Sequence, residues 1–351
     1  MDNQLSNKRL LIVGSASIHL KSYHSLIKDV FKEVVTITDQ PYSIDGVVNY
    51  PSSLSFKPFY LIPNRIKNLR KLIQKIQPDI IHIHQANTCS YYAIKAAHGK
   101  YPLIVTAWGS DVLYTPERGF IYKYILKEVL KGTRYFTASC HYMGDLMRKY
   151  HGKAMEITIA NFGIEFDFPA LSKEKIVYSN RYLNPHYRID KVIEEFEKFA
   201  SKPEYNNWKL VIAANGSLEN ELKVKALNSK VSERIQFIGW VDSKTNKEWY
   251  SRSMLYCALP ITDSTSLSLY EAMAAGSIPI VSDLPANREV ISNNDNGILV
   301  NERSNDVFEQ ALKICSPEVV EKNKKLSKEL AGKEENKKRF LQLYLKAING
   351  N

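Results

Sequence analysis

Two series of short β-branched runs, each alternating with segments of helical periodicity, organise this 351-residue chain. Short apolar runs joined by helical segments are typical of parallel strands with crossover helices. The predicted strands lie at 10–13, 34–38, 47–50, 80–84, 103–107, 135–138 and 157–160 in the first half, and at 175–179, 209–213, 235–238, 254–259, 278–282 and 298–300 in the second. This pattern predicts an α/β protein with two doubly wound parallel sheets.

The boundary between the two predicted domains falls near Pro169, which interrupts the pattern of strands and helices. A length of 351 residues also suggests about two domains of ordinary size. We therefore expect a first domain over 1–168 and a second domain over 169–330. One strongly charged helix is expected over roughly 317–348, and the segment 331–351 that contains its end follows the second domain.

The formal net charge is +11, and most of the surplus lies in the first 168 residues. A basic balance of this kind fits a nucleic acid, a phosphorylated ligand or an acidic membrane face. No basic stretch is interleaved with aromatic residues as in single-strand binding, so we expect no nucleic-acid partner, and nucleic-acid binding stays only as an alternative explanation of the charge. The apolar run near the amino terminus is too short for a signal peptide, and no run has membrane-spanning length, which predicts a cytoplasmic protein.

Metal and disulfide chemistry are not indicated by the spacing of the usual ligands. The four cysteines are far apart and form no Cys-x-x-Cys motif. His82 and His84 share one face of a predicted strand, but a third ligand at suitable spacing is missing. No Asp-x-Asp occurs, so a divalent cation lacks its usual pair of carboxylates. We expect neither a metal nor a bound cofactor.

The stretch 263–276 places two carboxylates around the start of a short helix. Leu267 begins a run of helix formers, and the residues where an N-cap belongs are Ser264, Thr265 and Ser266. Their position at a helix start, with free N–H groups and the positive dipole end, suits a diphosphate. Asp263 and Glu271 would accept hydrogen bonds from sugar hydroxyls on either side of it. A nucleotide sugar fits this arrangement, and the alternative is an ordinary capped surface helix with both carboxylates in solvent.

The residues that follow resemble a known family. Ala-Ala-Gly-Ser-Ile-Pro-Ile-Val-Ser-Asp-Leu-Pro (274–285), then Glu289 and Asn-Gly-Ile-Leu-Val (296–300), are similar to the carboxyl-terminal half of the retaining glycosyltransferases of family 4. That family has a Glu-x7-Glu element, and Asp263 stands here for its first Glu. The resemblance implies the GT-B fold, in which two Rossmann-like domains face a cleft that holds the active site and the last helix crosses back onto the first domain. It also implies retention of configuration at the transferred sugar carbon.

The same resemblance implies roles for two cations. Ser-Asn-Arg181-Tyr-Leu is similar to a family segment whose cations hold the donor diphosphate, which implies that role for Arg181. Arg188 is carried over to the same role across a spacing one residue longer, because Tyr187 stands where the family has Lys. An arginine at such a position can contact a phosphate through two hydrogen bonds and stays charged at any working pH.

Four further residues of the second half take roles from the resemblance. Phe-Ile-Gly239-Trp-Val241 resembles the loop that lines the pocket for the nucleotide base. Glu271 is implied to hold the ribose hydroxyls. Asp263 is implied to contact the sugar and is a catalytic candidate.

In the first half, the candidate site residues follow predicted strands. The loop after the first strand begins at Gly14, a candidate for diphosphate binding, and carries His19 as a catalytic candidate. One glycine is too few for the fingerprint Gly-x-Gly-x-x-Gly, so a hydride-transfer enzyme is disfavoured. Thr-Ala-Trp108-Gly-Ser-Asp111 resembles a family strand end that has His in place of Trp108, and Asp111 is a further catalytic candidate.

These observations predict a metal-independent, retaining glycosyltransferase in cell-surface polysaccharide synthesis. It would move a hexose-type unit from a nucleoside-diphosphate sugar, its co-substrate, to a glycan or lipid-linked acceptor. A nucleotide-sugar epimerase of the same architecture is the alternative, and it would convert the donor alone into an isomer.

A predicted helix over 64–77 suggests peripheral contact with an anionic membrane. Apolar residues at three- and four-residue spacing form one stripe, and the cations around it are Arg65, Lys67, Arg70, Lys71 and Lys75. The stripe packs against the sheet or enters lipid. In the first case the basic side of the helix is either solvated or lies on lipid headgroups.

Overall fold

The computed structural model describes residues 4–350 and divides the chain into two compact units. The first unit comprises the chain up to Gly163 together with the segment from Lys333 onward, and the second comprises Ile164–Gly332. The predicted ranges were 1–168, 169–330 and 331–351. Of these, residues 1–3 and 351 lie outside the described part.

The first unit is built on a parallel sheet. Its strands are β1 (Arg9–Gly14), β2 (Glu33–Thr38), β3 (Val48–Pro51), β4 (Ile80–His84), β5 (Leu103–Thr106), β6 (Tyr135–Ala138) and β7 (Ile157–Ile159). Its helices before the second unit are α1 (Ile18–Ile27), α2 (Ile62–Ile76), α3 (Thr88–Ala97), α4 (Ser110–Leu113), α5 (Phe120–Lys131) and α6 (His141–His151). The described strands follow the order β3-β2-β1-β4-β5-β6-β7, which reverses between β1 and β4.

The second unit repeats this plan. Its strands are β8 (Glu174–Ser179), β9 (Lys209–Ile212), β10 (Ile235–Phe237), β11 (Ser253–Ala258), β12 (Ile278–Ser282) and β13 (Ile298–Val300). Its helices are α7 (Ile189–Ala200), α8 (Glu219–Leu227), α9 (Ser243–Arg252), α10 (Leu267–Ala274), α11 (Pro285–Arg288), α12 (Val307–Ile314) and α13 (Pro317–Ala331). The described strands follow the order β10-β9-β8-β11-β12-β13, which reverses between β8 and β11.

The predicted fold of two doubly wound parallel sheets is confirmed, and each predicted strand is present. Strands such as β4 and β12 are buried along their whole length, because helices cover both faces of a parallel sheet. In such sheets ligands collect outside the carboxyl ends of the strands where the strand order reverses. None of the described helices combines the length and apolar character needed to cross a bilayer.

The prediction of one helix over 317–348 is wrong, because the chain breaks at Gly332 into α13 and α14 (Lys333–Asn349). Gly332 has a ψ of 136° and donates its N–H to the carbonyl of Lys328, which ends α13. A Cβ at this position would lie 2.4 Å from that carbonyl oxygen, so only glycine fits. The two helices also pack in different units: α13 lies on α10, whereas α14 contributes Phe340 and Tyr344 to the core of the first unit.

Candidate functional site

The reversal point of the second sheet brings together two predicted site residues. Arg181 follows β8 and Asp263 follows β11, and these strands are neighbours. Nη2 of Arg181 donates to Oδ2 of Asp263 at 2.6 Å, with side-chain exposures of only 12% and 23%. The guanidinium also lies 4.5 Å from the centre of the Tyr187 ring. The ion pair therefore stands at the edge of the sheet where a ligand is expected.

The environment of this pair keeps the arginine charged. Burial by itself lowers the pKa of the Arg181 guanidinium, but the carboxylate of Asp263 and the nearby tyrosines together more than offset it, and the pKa is raised. Burial raises the pKa of the Asp263 carboxyl, and the charge of Arg181 offsets only part of that rise. An anionic ligand entering here would compete with Asp263 for a cation that is already desolvated.

The helix that carries the second carboxylate begins where it was predicted. Ser266 is the N-cap of α10, and its hydroxyl accepts the N–H of Leu269 at 3.3 Å. Ser264 and Thr265 are buried, and the hydroxyl of Thr265 donates to the carbonyl of Ala286. The backbone N–H groups at the start of α10 are thus the groups of this segment that suit an anion.

Glu271 lies within α10 beside a cluster of tyrosines. Burial raises the pKa of its carboxyl to about 7, and a hydrogen bond with Tyr250 and the charge of Lys247 lower it only in part. Asn180 is bonded to both aromatic hydroxyls next to this carboxyl, at 2.7 Å to Tyr250 and 3.2 Å to Tyr256. A carboxyl that titrates near neutral pH among hydroxyls is suited to bind further hydroxyl groups.

Asn180, Tyr250 and Tyr256 also belong to this site, and their motifs did not predict it. Asn180 directly follows β8, so its place at the carboxyl end of a predicted strand could have identified it. Tyr250 belongs to α9 and Tyr256 to β11, and both are fully buried. A buried tyrosine in a helix or strand carries no local signal that separates it from the core.

The Arg188 side chain makes hydrogen bonds within the second unit. Its backbone is left-handed, with φ of 48°, and it stands directly before α7. Its Nε donates to the carbonyl of Leu259 at 2.8 Å, and Nη2 lies 3.5 Å from the hydroxyl of Ser282. These contacts hold the guanidinium among the strand ends β11 and β12.

The loop predicted to line a base pocket presents an exposed aromatic pair. Gly239 has φ of 71°, a backbone conformation that favours glycine, and Val241 closes the same loop. Trp240 between them is 64% exposed and stacks on Tyr182, with ring centres 5.8 Å apart and an angle of 26°. Neither Trp240 nor Tyr182 was predicted to be a site residue, although both follow strand ends.

In the first unit, Trp108 links the predicted residues His19 and Asp111. The Trp108 indole N–H donates to Nδ1 of His84 at 3.2 Å, and the His19 ring lies edge-on to the indole at 4.9 Å. Burial lowers the pKa of His19, so its imidazole is neutral at neutral pH and can donate or accept a hydrogen bond.

Asp111 is buried and holds the loop around Trp108. Its carboxylate accepts the backbone N–H groups of Ala86 at 2.6 Å, Gly109 at 2.9 Å and Trp108 at 3.1 Å. Burial nevertheless outweighs these hydrogen bonds and raises its pKa. The side chain is therefore engaged in fixing the ends of β4 and β5.

Gly14 and His82 have structural surroundings in the same unit. Gly14 ends β1, where an added Cβ would lie 3.1 Å from the Cβ of His84. His82 is buried and bonded to the hydroxyls of Tyr344 and Thr106, both at 2.6 Å. Within residues 4–350, no group of three His, Cys, Asp or Glu side chains could hold a metal ion.

One side of α2 is buried and the opposite side is exposed to solvent. Leu69, Ile73 and Ile76 are buried, so the apolar stripe packs inward. Arg65 and Arg70 donate to backbone carbonyls, among them those of Ser55 and Ala96. The cations of this helix that stand exposed are Lys67, Lys71 and Lys75.

Two family models match the chain. The model described as Glycosyl transferases group 1 matches residues 164–343, and the model described as Glycosyl transferase 4-like matches residues 9–140. The matches together cover most of both units.

Individual proteins are similar over most of the chain at low identity. A phosphatidyl-myo-inositol mannosyltransferase of Mycolicibacterium smegmatis is 23% identical over 82% of this chain and 78% of its own length. Its namesake from Mycobacterium leprae is 25% identical over 63% of this chain and 60% of its own length. The crystal structure of Anabaena HepE in complex with UDP and glucose superposes with a TM-score of 0.77 at 11% identity, covering 97% of this chain and all of that one (100%). At that identity the superposition shows a common fold.

Proposed function

The chain belongs to the group 1 glycosyl transferases and has the GT-B fold, and on that premise we propose that it is a retaining enzyme for nucleoside-diphosphate sugars. It moves a hexose-type unit to a glycan or lipid-linked acceptor in cell-surface polysaccharide synthesis. The likeness to a phosphatidyl-myo-inositol mannosyltransferase and to a protein that was crystallised with UDP and glucose supports a sugar donor and a lipid-linked acceptor. An epimerase is disfavoured, because both matching families are transferases.

The observation that carries the proposal is the ion pair between Arg181 and Asp263 at the reversal point of the second sheet. The donor diphosphate replaces Asp263 as the hydrogen-bond partner of the Arg181 guanidinium, because a phosphate offers the guanidinium two acceptor oxygens in place of one carboxylate oxygen. Asp263, released from that bond, then accepts hydrogen bonds from the hydroxyls of the transferred sugar. Arg188 and the N–H groups from Ser264 to Leu267 complete the diphosphate site.

The nucleoside half of the donor is assigned to the other side of α10. Glu271 binds the ribose hydroxyls, supported by its position among tyrosine hydroxyls and by its pKa of about 7. Gly239 and Val241 contact the base through the backbone.

The first unit contributes the acceptor side of the reaction. His19 is proposed to contact the reacting groups as a neutral hydrogen-bonding imidazole, which fits its lowered pKa. Asp111 acts through the loop that it holds around Trp108. Gly14, at the end of β1, is proposed to offer its backbone N–H to the donor diphosphate.

Charge that develops on the leaving diphosphate is stabilised by fixed cations and by the start of α10. The bond from the sugar carbon to the diphosphate oxygen breaks while a bond to the acceptor oxygen forms, and the acceptor hydroxyl passes its proton to the leaving diphosphate. Arg181 is already placed and desolvated for that moment, which is the arrangement that stabilises charge in a transition state most strongly. We infer that the reaction needs no divalent cation.

Contact with an anionic membrane is proposed through the basic side of α2. Because the apolar stripe of this helix is buried, the contact is electrostatic and involves Lys67, Lys71 and Lys75 without insertion into lipid. Such docking would keep a cytoplasmic enzyme close to a lipid-linked acceptor.

Calorimetry and thermal unfolding with UDP, GDP and ADP and with UDP-glucose and GDP-mannose test the donor proposal. We expect one base to be preferred and slow release of free sugar from its nucleotide sugar. Arg181→Ala should lower the affinity roughly tenfold to a hundredfold, since a charged hydrogen bond contributes about 1.5–3 kcal/mol. Arg234→Ala, at the amino end of β10, is the control. Binding of none of the five ligands, or formation of an isomer, would refute the proposal.

A further inference from the structure

A pocket in the first unit is left unexplained by the donor site. Its volume is about 540 Å³, within the range of small-molecule sites. It lies at the carboxyl ends of β1, β2 and β3 and at the start of α3. The polar side chains of its wall include those of Asp39, Gln40, Ser52, Ser53, Ser55 and Asn87. We call it the serine-lined pocket.

The pocket occupies the reversal point of the first sheet. Ser15 follows β1 and Asn87 follows β4, and the strand order reverses between these two strands. Loops at this point diverge to opposite faces of the sheet and leave a crevice, which is where ligands of open α/β sheets bind. The pocket therefore lies where a ligand is expected in such a sheet.

The walls of the serine-lined pocket are held in place by hydrogen bonds. Oδ1 of Asp39 accepts the N–H of Ala16 at 2.8 Å, so the second carboxylate oxygen remains for a ligand. The carbonyl of Ser55 accepts the hydroxyl of Tyr92 at 2.9 Å. Asn87 caps α3 through the N–H of Cys89. A site whose polar groups are fixed before binding loses less conformational entropy when it binds.

The charge of the pocket contrasts with that of the chain. The net charge of the chain is +11, yet among the described residues that line the pocket no Lys, Arg or His occurs, and Asp39 is an acid. A phosphate or carboxylate bound here would lose hydration without a counter-charge and would face a carboxylate. A neutral polyhydroxyl compound has no such cost. Its hydroxyls can donate to Asp39 in charge-assisted hydrogen bonds and exchange weaker ones with the serines.

We propose that the serine-lined pocket binds a neutral glycosyl residue of the acceptor, with Asp39 as the main hydrogen-bond acceptor for its hydroxyls. That this sugar is part of the acceptor rests on the proposed function. The preference for a neutral sugar rests on the lining of the pocket alone. Any phosphate that such an acceptor carries binds outside this pocket.

Saturation-transfer NMR on the full chain tests the preference directly. The neutral probes are methyl α-glucoside, methyl α-mannoside, methyl β-galactoside and lactose, and the anionic probes are glucose 6-phosphate, glucuronate and inorganic phosphate. We expect at least one neutral probe to bind and Asp39→Asn to weaken its binding by about tenfold or more, since one charge-assisted hydrogen bond is lost. Asp45→Asn is the matched control, because Asp45 is an exposed aspartate of the same unit outside the pocket.

Even if a neutral glycoside binds, either of two results would overturn the pocket assignment. One is tighter binding of the anionic probes than of the neutral ones, and the other is equal binding by Asp39→Asn and Asp45→Asn. Nucleotide affinity, measured on the same variants, separates this proposal from the donor proposal. If neutral glycosides bind through Asp39 while no nucleotide binds, the donor proposal fails and the pocket assignment stands. If nucleotides bind and no neutral glycoside does, the pocket assignment fails alone.

Discussion

Burial raises the pKa of the Glu271 carboxyl to about 7, so the affinity for a nucleotide sugar should depend on pH near neutrality. Ribose hydroxyls donate to an ionised carboxylate more strongly than to a carboxylic acid. If only the ionised form binds, affinity rises about tenfold from about pH 6 to about pH 8, because one pKa unit corresponds to a factor of ten in the protonation equilibrium. Glu271→Gln should bind weakly at both pH values, without this dependence.

The Glu271 carboxyl should also make the stability of the folded chain decrease as the pH rises. The pKa in the folded chain is about 7 and lies above the ordinary value of 4.5, so the folded state binds the proton more tightly than the unfolded state. Stability from this group is therefore present at low pH and is lost as the pH rises through 7. Glu271→Gln, which cannot ionise, should stabilise the chain at about pH 8 by roughly 1–3 kcal/mol while it weakens donor binding.

Calorimetry in buffers with different ionisation enthalpies checks the first effect, because proton release adds the buffer's enthalpy to the observed heat. The ligand is a nucleotide sugar, whose diphosphate does not titrate near pH 7 as the terminal phosphate of a free nucleotide does. Wild type should release a fraction of a proton at pH 7, and Glu271→Gln none. Urea unfolding at about pH 5 and about pH 8 checks the stability effect.

Glu221→Gln is the matched control for both experiments, since Glu221 is an exposed glutamate on α8. Two observations would refute the reasoning: unchanged proton release by Glu271→Gln, or a loss of stability at high pH equal to that of wild type.

Three further outcomes are expected. Asp263→Asn, which keeps an oxygen near Arg181, should lower kcat about tenfold or more and leave UDP affinity within a factor of about three; loss of UDP binding would contradict a role at the sugar. Transfer should persist in excess EDTA, and strict dependence on added manganese or magnesium would contradict charge stabilisation by Arg181 and α10. Replacing Lys67, Lys71 and Lys75 by Glu should abolish sedimentation with anionic liposomes at low salt, since each lysine contributes about 1 kcal/mol, while donor hydrolysis stays unchanged; binding equal to wild type would assign the basic surface to another partner.

The strands were predictable because burial on both faces leaves a strong local signature. The apolar runs 10–13 in β1 and 278–281 in β12 are short, rich in β-branched residues and bounded by turn residues, a combination that few other structures require. The start of α10 was predictable for a similar reason, since an N-cap is a local hydrogen bond between Ser266 and Leu269. The helix break at Gly332 was missed, because helical periodicity on both sides of it does not reveal that the two faces pack in different units.

Sequence alone thus determined the class of fold, the strand ends and the residue types that stand there. Tertiary structure decided which of these ends are neighbours. Arg181 and Asp263 are 82 residues apart and meet only because β8 and β11 pair at the reversal point. The pKa of Glu271 and the charge of the serine-lined pocket depend likewise on side chains from several elements. Desolvation and electrostatic interactions depend on distances in space, and neighbours in sequence do not encode those distances.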